Sequence, residues 1–239
     1  MIPHTLTFST QFAETIPHFR MAMLEVKVKN SPYCMELQRA IEQSIGEIVL
    51  QYRLEDIKSI PTIYHTREAY KLLGKDPNRY RPAGEQLLRR IVSGKGLYSI
   101  NALVDMGNLI SIKTGYSLGI FHAPAVGREV LLRRGEAEDP FEGIGRGRLN
   151  VEGLPLYVDE VGPFANPTSD SERTKVRLNT TEALIFINSY LPTKEGAEEK
   201  LYQAVEYTEE LLCRFLAASE LTRSYYCADS YHASPSCIN

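Results

Sequence analysis

The stretch INALVDMGNLISIKTG, residues 100–115, is apolar except for a few polar side chains, among them Asn101, Asp105 and Asn108. Spacings of four and three put these three within one narrow arc of a helix. Leu103, Val104, Met106, Leu109 and Ile110 take the rest of the circumference. A helix apolar on most sides is buried, so its polar stripe must bond to something: a neighbouring loop, ordered water or a ligand. A solvated stripe would use Lys, Glu or Arg, since Asn and Asp compete for backbone hydrogen bonds and are poor helix formers. Two readings follow. The stripe is an internal network that pins a loop, or it is the wall of a pocket for a polar ligand.

Charge is the next signal. The chain has 239 residues and a net charge of −3, so it is not basic as a whole. Residues 67–95, however, hold eight basic side chains against the three acidic ones Glu68, Asp76 and Glu85. Arg79, Arg81, Arg89, Arg90 and Lys95 lie in this run. Such a local patch binds polyanions even on an acidic protein, although a solvated helix pair gives the same pattern. Residues 194–220 reverse the balance, with seven glutamates against Lys194, Lys200 and Arg214.

Other chemistry is less well supported. EGIGRGRLNVEG, residues 142–153, is glycine-rich but lacks a following helix. It predicts a hairpin loop rather than a phosphate cradle, with Arg146 and Arg148 at a tip that could meet RNA. Ser99, Ser111 and Ser117 sit in no nucleophile elbow. The four cysteines form no C-x-x-C pair and the five histidines are scattered, which argues against a metal site. Cys213 reads as a core residue of a helix, and nothing in the spacing supports a bridge between Cys227 and Cys237. No cofactor or ATP-site motif is visible. No apolar run is long enough to cross a bilayer, and MIPHTLTFST does not read as a signal peptide. Reduced thiols in a cytoplasmic protein are therefore expected.

The elements that must position these residues follow an α+β order. TLTFS and FRMAMLEVKV read as strands, though Met21, Met23 and Val26 fit a half-buried pattern only loosely. NSPYCMELQRAIEQSIGEIVLQY reads as a helix capped at Ser31 and opened by Pro32. TREAYKLLG is a short helix between Thr66 and Gly74, and RPAGEQLLRRIVSGKG another between Pro82 and Gly94. The opening helix comes next and ends at Gly115. EVLLRR, LPLYVD, TKVRL and EALIFINSY carry β signals. The last helix, KEGAEEKLYQAVEYTEELLCRFLAA, turns Leu201, Val205, Leu212 and Phe215 inward. The composition, 43% hydrophobic and 24% charged, and the absence of repeats suit a single domain over 1–220, followed by a polar tail at 221–239.

The motif I-N-x-x-V-D-x-x-N, with a glycine at the helix end and then YSLGIF, resembles the tRNA-binding and editing domain of the phenylalanyl-tRNA synthetase β subunit. RPAGEQLLRRIVSGKGLYS and PLYVDEVGPFANPTSDSERTKV, with its D-S-x-R-T element, are similar to free-standing relatives of that domain. The resemblance spans roughly residues 80–190. It implies a mixed α+β fold and a partner that is tRNA or aminoacyl-tRNA, with neither DNA nor membrane involved. One domain is too small for a complete aminoacyl-tRNA ligase. The implied activity is hydrolysis of a mischarged aminoacyl-tRNA in trans. The alternatives are a non-catalytic module that binds tRNA or a free amino acid, and a scaffold that has lost the site.

The same resemblance implies site residues. Glu172 falls where the synthetase domain carries a glutamate that recognises the hydroxyl of a misattached tyrosine. Asp105, Asp170 and Glu172 are the carboxylates that could anchor an ammonium or orient a water at the ester carbonyl. Asn101, Asn108, Thr168, Ser171, Arg173, Thr174 and His122 are the implied substrate contacts. The basic run, rather than the resemblance, makes Arg79, Arg81, Arg89, Arg90 and Lys95 the expected tRNA contacts. Two departures alter the pocket. The synthetase's histidine aligns with Gly119, and its glycine-rich loop is replaced here by NPTSDS.

Overall fold

The run RMAMLEVK shows no clean alternation because both of its side-chain rows are buried. Strands covered on both faces read as nearly continuous apolar runs. The computed structural model describes residues 3–229. In chain order it contains β1 (Thr5–Phe8), α1 (Thr10–Thr15), β2 (Arg20–Lys27), α2 (Met35–Gln51), α3 (Pro61–Leu72), α4 (Ala83–Val92) and α5 (Ala102–Thr114). Then come β3 (Leu118–His122), β4 (Glu129–Arg134), β5 (Glu142–Gly143), β6 (Gly147–Arg148), β7 (Pro155–Asp159), β8 (Gly162–Asn166) and β9 (Ser169–Asp170). The chain continues through β10 (Glu182–Ser189), α6 (Ala197–Leu216) and β11 (Ser219–Cys227). The α+β class expected from the sequence is the class observed.

Two sheets pack face to face. One has the order β11-β2-β10-β3 and is antiparallel throughout. The other has the order β1-β4-β7-β8-β9, with a parallel β1–β4 pair at one edge. Ala22, Leu24, Val26, Ile185 and Ile187 project from the first sheet into a core shared with α2, α4, α5 and α6. Met21, Met23, Leu184 and Phe186 project the other way and meet Phe8, Leu132, Tyr157 and Phe164 of the second sheet or its flank. A third, smaller core places Tyr70 of α3 with Phe141, Val151, Leu154 and Leu156 on the outer face of the second sheet. Layers of helix, sheet and sheet thus bury both rows of β2 and β10.

Several element boundaries differ from the sequence expectations. Helix α2 starts at Met35, after Cys34, and neither Ser31 nor Pro32 opens it. Helix α3 starts at Pro61, so Thr66 is not a cap; it lies mid-helix and donates to the Thr62 carbonyl at 2.7 Å. TKVRL is no strand. Its backbone joins the neighbouring strands through isolated bridges, Phe121 with Lys175 and Gly143 with Ser171, on the crossing from β9 back to the first sheet. Residues 221–227 are not a loose tail; they complete β11, which pairs with the edge of β2. Cys213 is exposed rather than core, and Phe215 is only half-buried. Cys237 lies outside the described residues.

Candidate functional site

The opening stripe turns out to be a structural hub. Asn101 is the N-cap of α5, and its Oδ1 accepts from the Val104 N–H at 3.1 Å. Asp105 is 1% exposed, and both of its oxygens are occupied. Its Oδ1 accepts from the Ile100 N–H at 2.9 Å, and its Oδ2 accepts from Ser99 Oγ at 2.6 Å and Gln38 Nε2 at 2.7 Å. The carboxylate therefore ties α5 to α2 and to the loop before α5. Asn108 is half-buried one turn further on. The pinned-loop reading of the stripe is the one the geometry supports.

Glu172 lies elsewhere, beside the β5–β6 hairpin. Its N–H donates to the Glu142 carbonyl at 2.9 Å. Its exposed carboxylate pairs with Lys175 and accepts from the Gly145 N–H, and these contacts hold it below the usual glutamate range. Asn101 and Asp105 share no hydrogen bond or ion pair with Glu172, so the three do not form one cluster. Arg173 is likewise engaged: its guanidinium donates to Asp159 at 2.8 and 3.0 Å and to the Ala125 carbonyl at 2.8 Å. Ser171 Oγ accepts from the Arg173 N–H. The resemblance places a histidine at Gly119, but a Cβ there would run into the ring of Phe121. That ring is packed edge-on against Phe164 and Phe186, so the space is filled from within the chain. His122 and Thr174 are joined through the His122 N–H and the Thr174 carbonyl, yet His122 Nδ1 and Thr174 Oγ1 are buried without partners.

Asp170 differs from the other two carboxylates. It is half-buried on β9, and no side chain among the described residues pairs with its carboxyl. Burial alone pushes that carboxyl up to about 7. Strand register fixes its direction: Asp170 pairs with Ala165 and Ala165 with Tyr157, so all three share the face toward the inter-sheet core. Asn166 and Ser169 pair with each other and share the opposite face.

That opposite face opens into a cavity of about 160 Å³. Arg79, Arg81, Gln86, Arg146, Asn150, Asn166, Thr168 and Ser169 supply its polar lining, and Tyr80, Leu149, Val151 and Leu154 its apolar wall. Thr168 is fixed by a 2.9 Å bond between its Oγ1 and the Tyr70 hydroxyl. Asn166 Oδ1 accepts from the N–H groups of Thr168 and Ser169, while its Nδ2 is buried without a partner. No carboxylate of the described residues lines this cavity.

A neighbouring groove of about 330 Å³ is lined by Leu54, Glu55, Lys58, Arg67, Asn78, Arg81, Glu85 and Arg89. Glu85 is buried beneath it. Arg67 donates to both Glu85 oxygens, at 2.9 and 3.2 Å, and Arg81 and Arg89 stand within 4 Å. One buried carboxylate thus gathers three arginines of the basic run. Arg90 stacks over the Tyr98 ring and donates to the Lys95 carbonyl, which leaves the Lys95 ammonium exposed. Sequence reasoning missed Asn166 and Gln86 as cavity residues; the Asn-Pro pair before Thr168 was the available signal for a side-chain-bonded turn.

No helix among the described residues is long and apolar enough to cross a membrane. No curated protein matches the chain. A solved N-terminal fragment of the phenylalanyl-tRNA synthetase β subunit from Pyrococcus horikoshii is similar at 12% identity, with a TM-score of 0.46. The match covers 92% of this chain and 52% of that one, so this chain spans about half the length of the fragment. The family model of the B3/4 domain, a domain found in the phenylalanyl-tRNA synthetase β subunit, matches residues 65–214. That is more than half of the sequence, and the chain belongs to the B3/4 domain family.

Proposed function

We propose that this B3/4 protein binds the acceptor end of an aminoacyl-tRNA and hydrolyses a misattached amino-acid ester. The observation that carries the reading is Asp170. Of the three carboxylates singled out by sequence, Asp105 is saturated by protein donors and Glu172 is paired with Lys175. Of the three, Asp170 alone has no partner among the described residues, with a carboxyl poised at about 7. A base of that strength suits proton abstraction from water at neutral pH. Water adds to the ester carbonyl, Asp170 takes its proton, and the bond to the ribose oxygen breaks. The proton returns to that oxygen as the terminal hydroxyl leaves. His122 and Thr174 supply further unpaired polar atoms for the amino acid. The basic residues of α4 and the adjoining loops supply charge for the tRNA backbone.

A second reading is a module that binds tRNA without hydrolysis. It is favoured by the exposure and Lys175 pairing of Glu172, which leave that carboxylate engaged rather than free to read a tyrosine hydroxyl. Deacylation of a panel of mischarged tRNAs separates the two. Wild-type protein should hydrolyse at least one ester, with a rate that rises through about pH 7. Asp170→Asn should lower that rate about a hundredfold or more while tRNA affinity holds. Wild-type protein inert on the whole panel would remove the enzymatic reading and leave the binding module.

A further inference from the structure

We infer that the cavity between the 79–81 turn, the β5–β6 hairpin and the β8–β9 turn is a binding site for one phosphate group of a nucleotide. Three arginines line its wall from two distant segments, Arg79 and Arg81 from one and Arg146 from the other. Arg79 and Arg146 have no hydrogen-bond or ion-pair partner for their guanidiniums among the described residues. Arg81 has only a long contact, 3.9 Å, to Glu85, which is shared with two other arginines. The charge at this wall is therefore only partly compensated by the described residues, through the one long Arg81 contact.

Asn166 gives the second, independent sign. It is 5% exposed and lines the cavity, and its Nδ2 donates to nothing among the described residues. Its Oδ1 cannot exchange places with Nδ2, because it already accepts from two N–H groups of the turn at 3.0 and 3.1 Å. A buried amide donor without an acceptor is costly, and an anionic oxygen in the cavity removes that cost. Ser169 and Thr168 add hydroxyls on the same wall.

Size and charge select the ligand. A dry cavity of about 150 Å³ takes benzene, a molecule of six heavy atoms. The present space of about 160 Å³ suits the five heavy atoms of a phosphate group. A lone carboxylate would answer one guanidinium and leave two, whereas a phosphate presents several acceptor oxygens in different directions. The wall of Tyr80, Leu149, Val151 and Leu154 then meets the sugar or base attached to that phosphate. The inference rests on the tRNA-binding reading for the source of its phosphate, but not for the binding itself.

Calorimetric titration of the whole chain with adenosine 5′-monophosphate, adenosine and a single-stranded oligoribonucleotide tests it. The monophosphate or the oligonucleotide should bind, adenosine should not, and affinity should fall with salt. Tighter binding of the oligonucleotide assigns the phosphate to RNA, and tighter binding of the monophosphate assigns it to a free nucleotide. Arg146→Glu lies on an exposed hairpin and should melt like wild type while weakening binding about ten- to a hundredfold. Asn166→Asp keeps the turn acceptor, places a second oxygen where Nδ2 was, and should act in the same direction. Equal binding of adenosine and its monophosphate, no binding of any probe, or unchanged affinity in a folded Arg146→Glu protein would overturn the site. Because binding is read directly, a protein that hydrolyses no ester but still binds the monophosphate separates this inference from the deacylase reading.

Discussion

Asp170 shows how one residue's chemistry depends on contacts that its neighbours in sequence do not announce. Asp105, Asp170 and Glu172 were all candidate carboxylates in the sequence, and their partners in the fold separate them. Gln38 reaches Asp105 across 67 positions, and no comparable donor reaches Asp170. The consequence is measurable as stability. The folded carboxyl titrates at about 7, above its ordinary value of 3.8, so the folded state binds more protons than the unfolded state between those values. Its contribution is fully present below about pH 4 and is lost as pH rises through 7. Asp170→Asn is neutral at every pH. It should match wild type near pH 4 and exceed it at pH 8 by on the order of a few kcal/mol in urea unfolding. Parallel pH dependence of the two proteins would show that Asp170 titrates as an ordinary surface carboxylate. Gly119 carries a related lesson. A Cβ at this position would meet the Phe121 ring, a contact that is visible only in three dimensions.

Among the elements, those with the strongest local signals were legible in the sequence. Strand β4 coincides with EVLLRR, and α5 ends at Gly115, whose φ of +73° is left-handed backbone that favours glycine. The glycine-rich hairpin is present as β5 and β6. Helix starts were less legible, because Cys34 and Ile60 stand at the N-caps of α2 and α3 without a side-chain bond to mark them. The polar stripe of α5 was visible, but its purpose was not, since the groups that bond Asp105 come from α2 and from the loop at residues 99–100. That role as a joint predicts a loss of stability. Asp105→Ala leaves the Ile100 N–H, Ser99 Oγ and Gln38 Nε2 without their acceptor and should cost about 2–4 kcal/mol. The cost should be accompanied by faster amide exchange at the start of α5. Denaturant unfolding of the variant within about 0.5 kcal/mol of wild type would mean that water replaces the carboxylate without penalty.

Across the whole molecule, charge is organised by burial rather than by sequence order. The net charge of −3 conceals a basic face, and the excess of arginine in residues 67–95 conceals a division within that face. Arg67, Arg81 and Arg89 surround the buried Glu85, so part of their charge serves the fold. Arg79 and Lys95 are exposed and have no such acceptor among the described residues. The two groups should therefore respond oppositely to reversal. Arg67→Glu sets a second carboxylate against Glu85, which is 1% exposed, and should unfold the α3–α4 region, with a fall in melting temperature. Arg79→Glu with Lys95→Glu should leave the melt near wild type and weaken tRNA binding. If both side chains meet backbone phosphates, the slope of log affinity against log salt should flatten by roughly one for each phosphate no longer neutralised. Binding isotherms over a salt series, with a melt for each variant, measure both quantities. A double variant that keeps both the affinity and the slope of wild type would place the tRNA off this face. A melt that collapses in the double variant but not in Arg67→Glu would reverse the assignment of which arginines hold the fold.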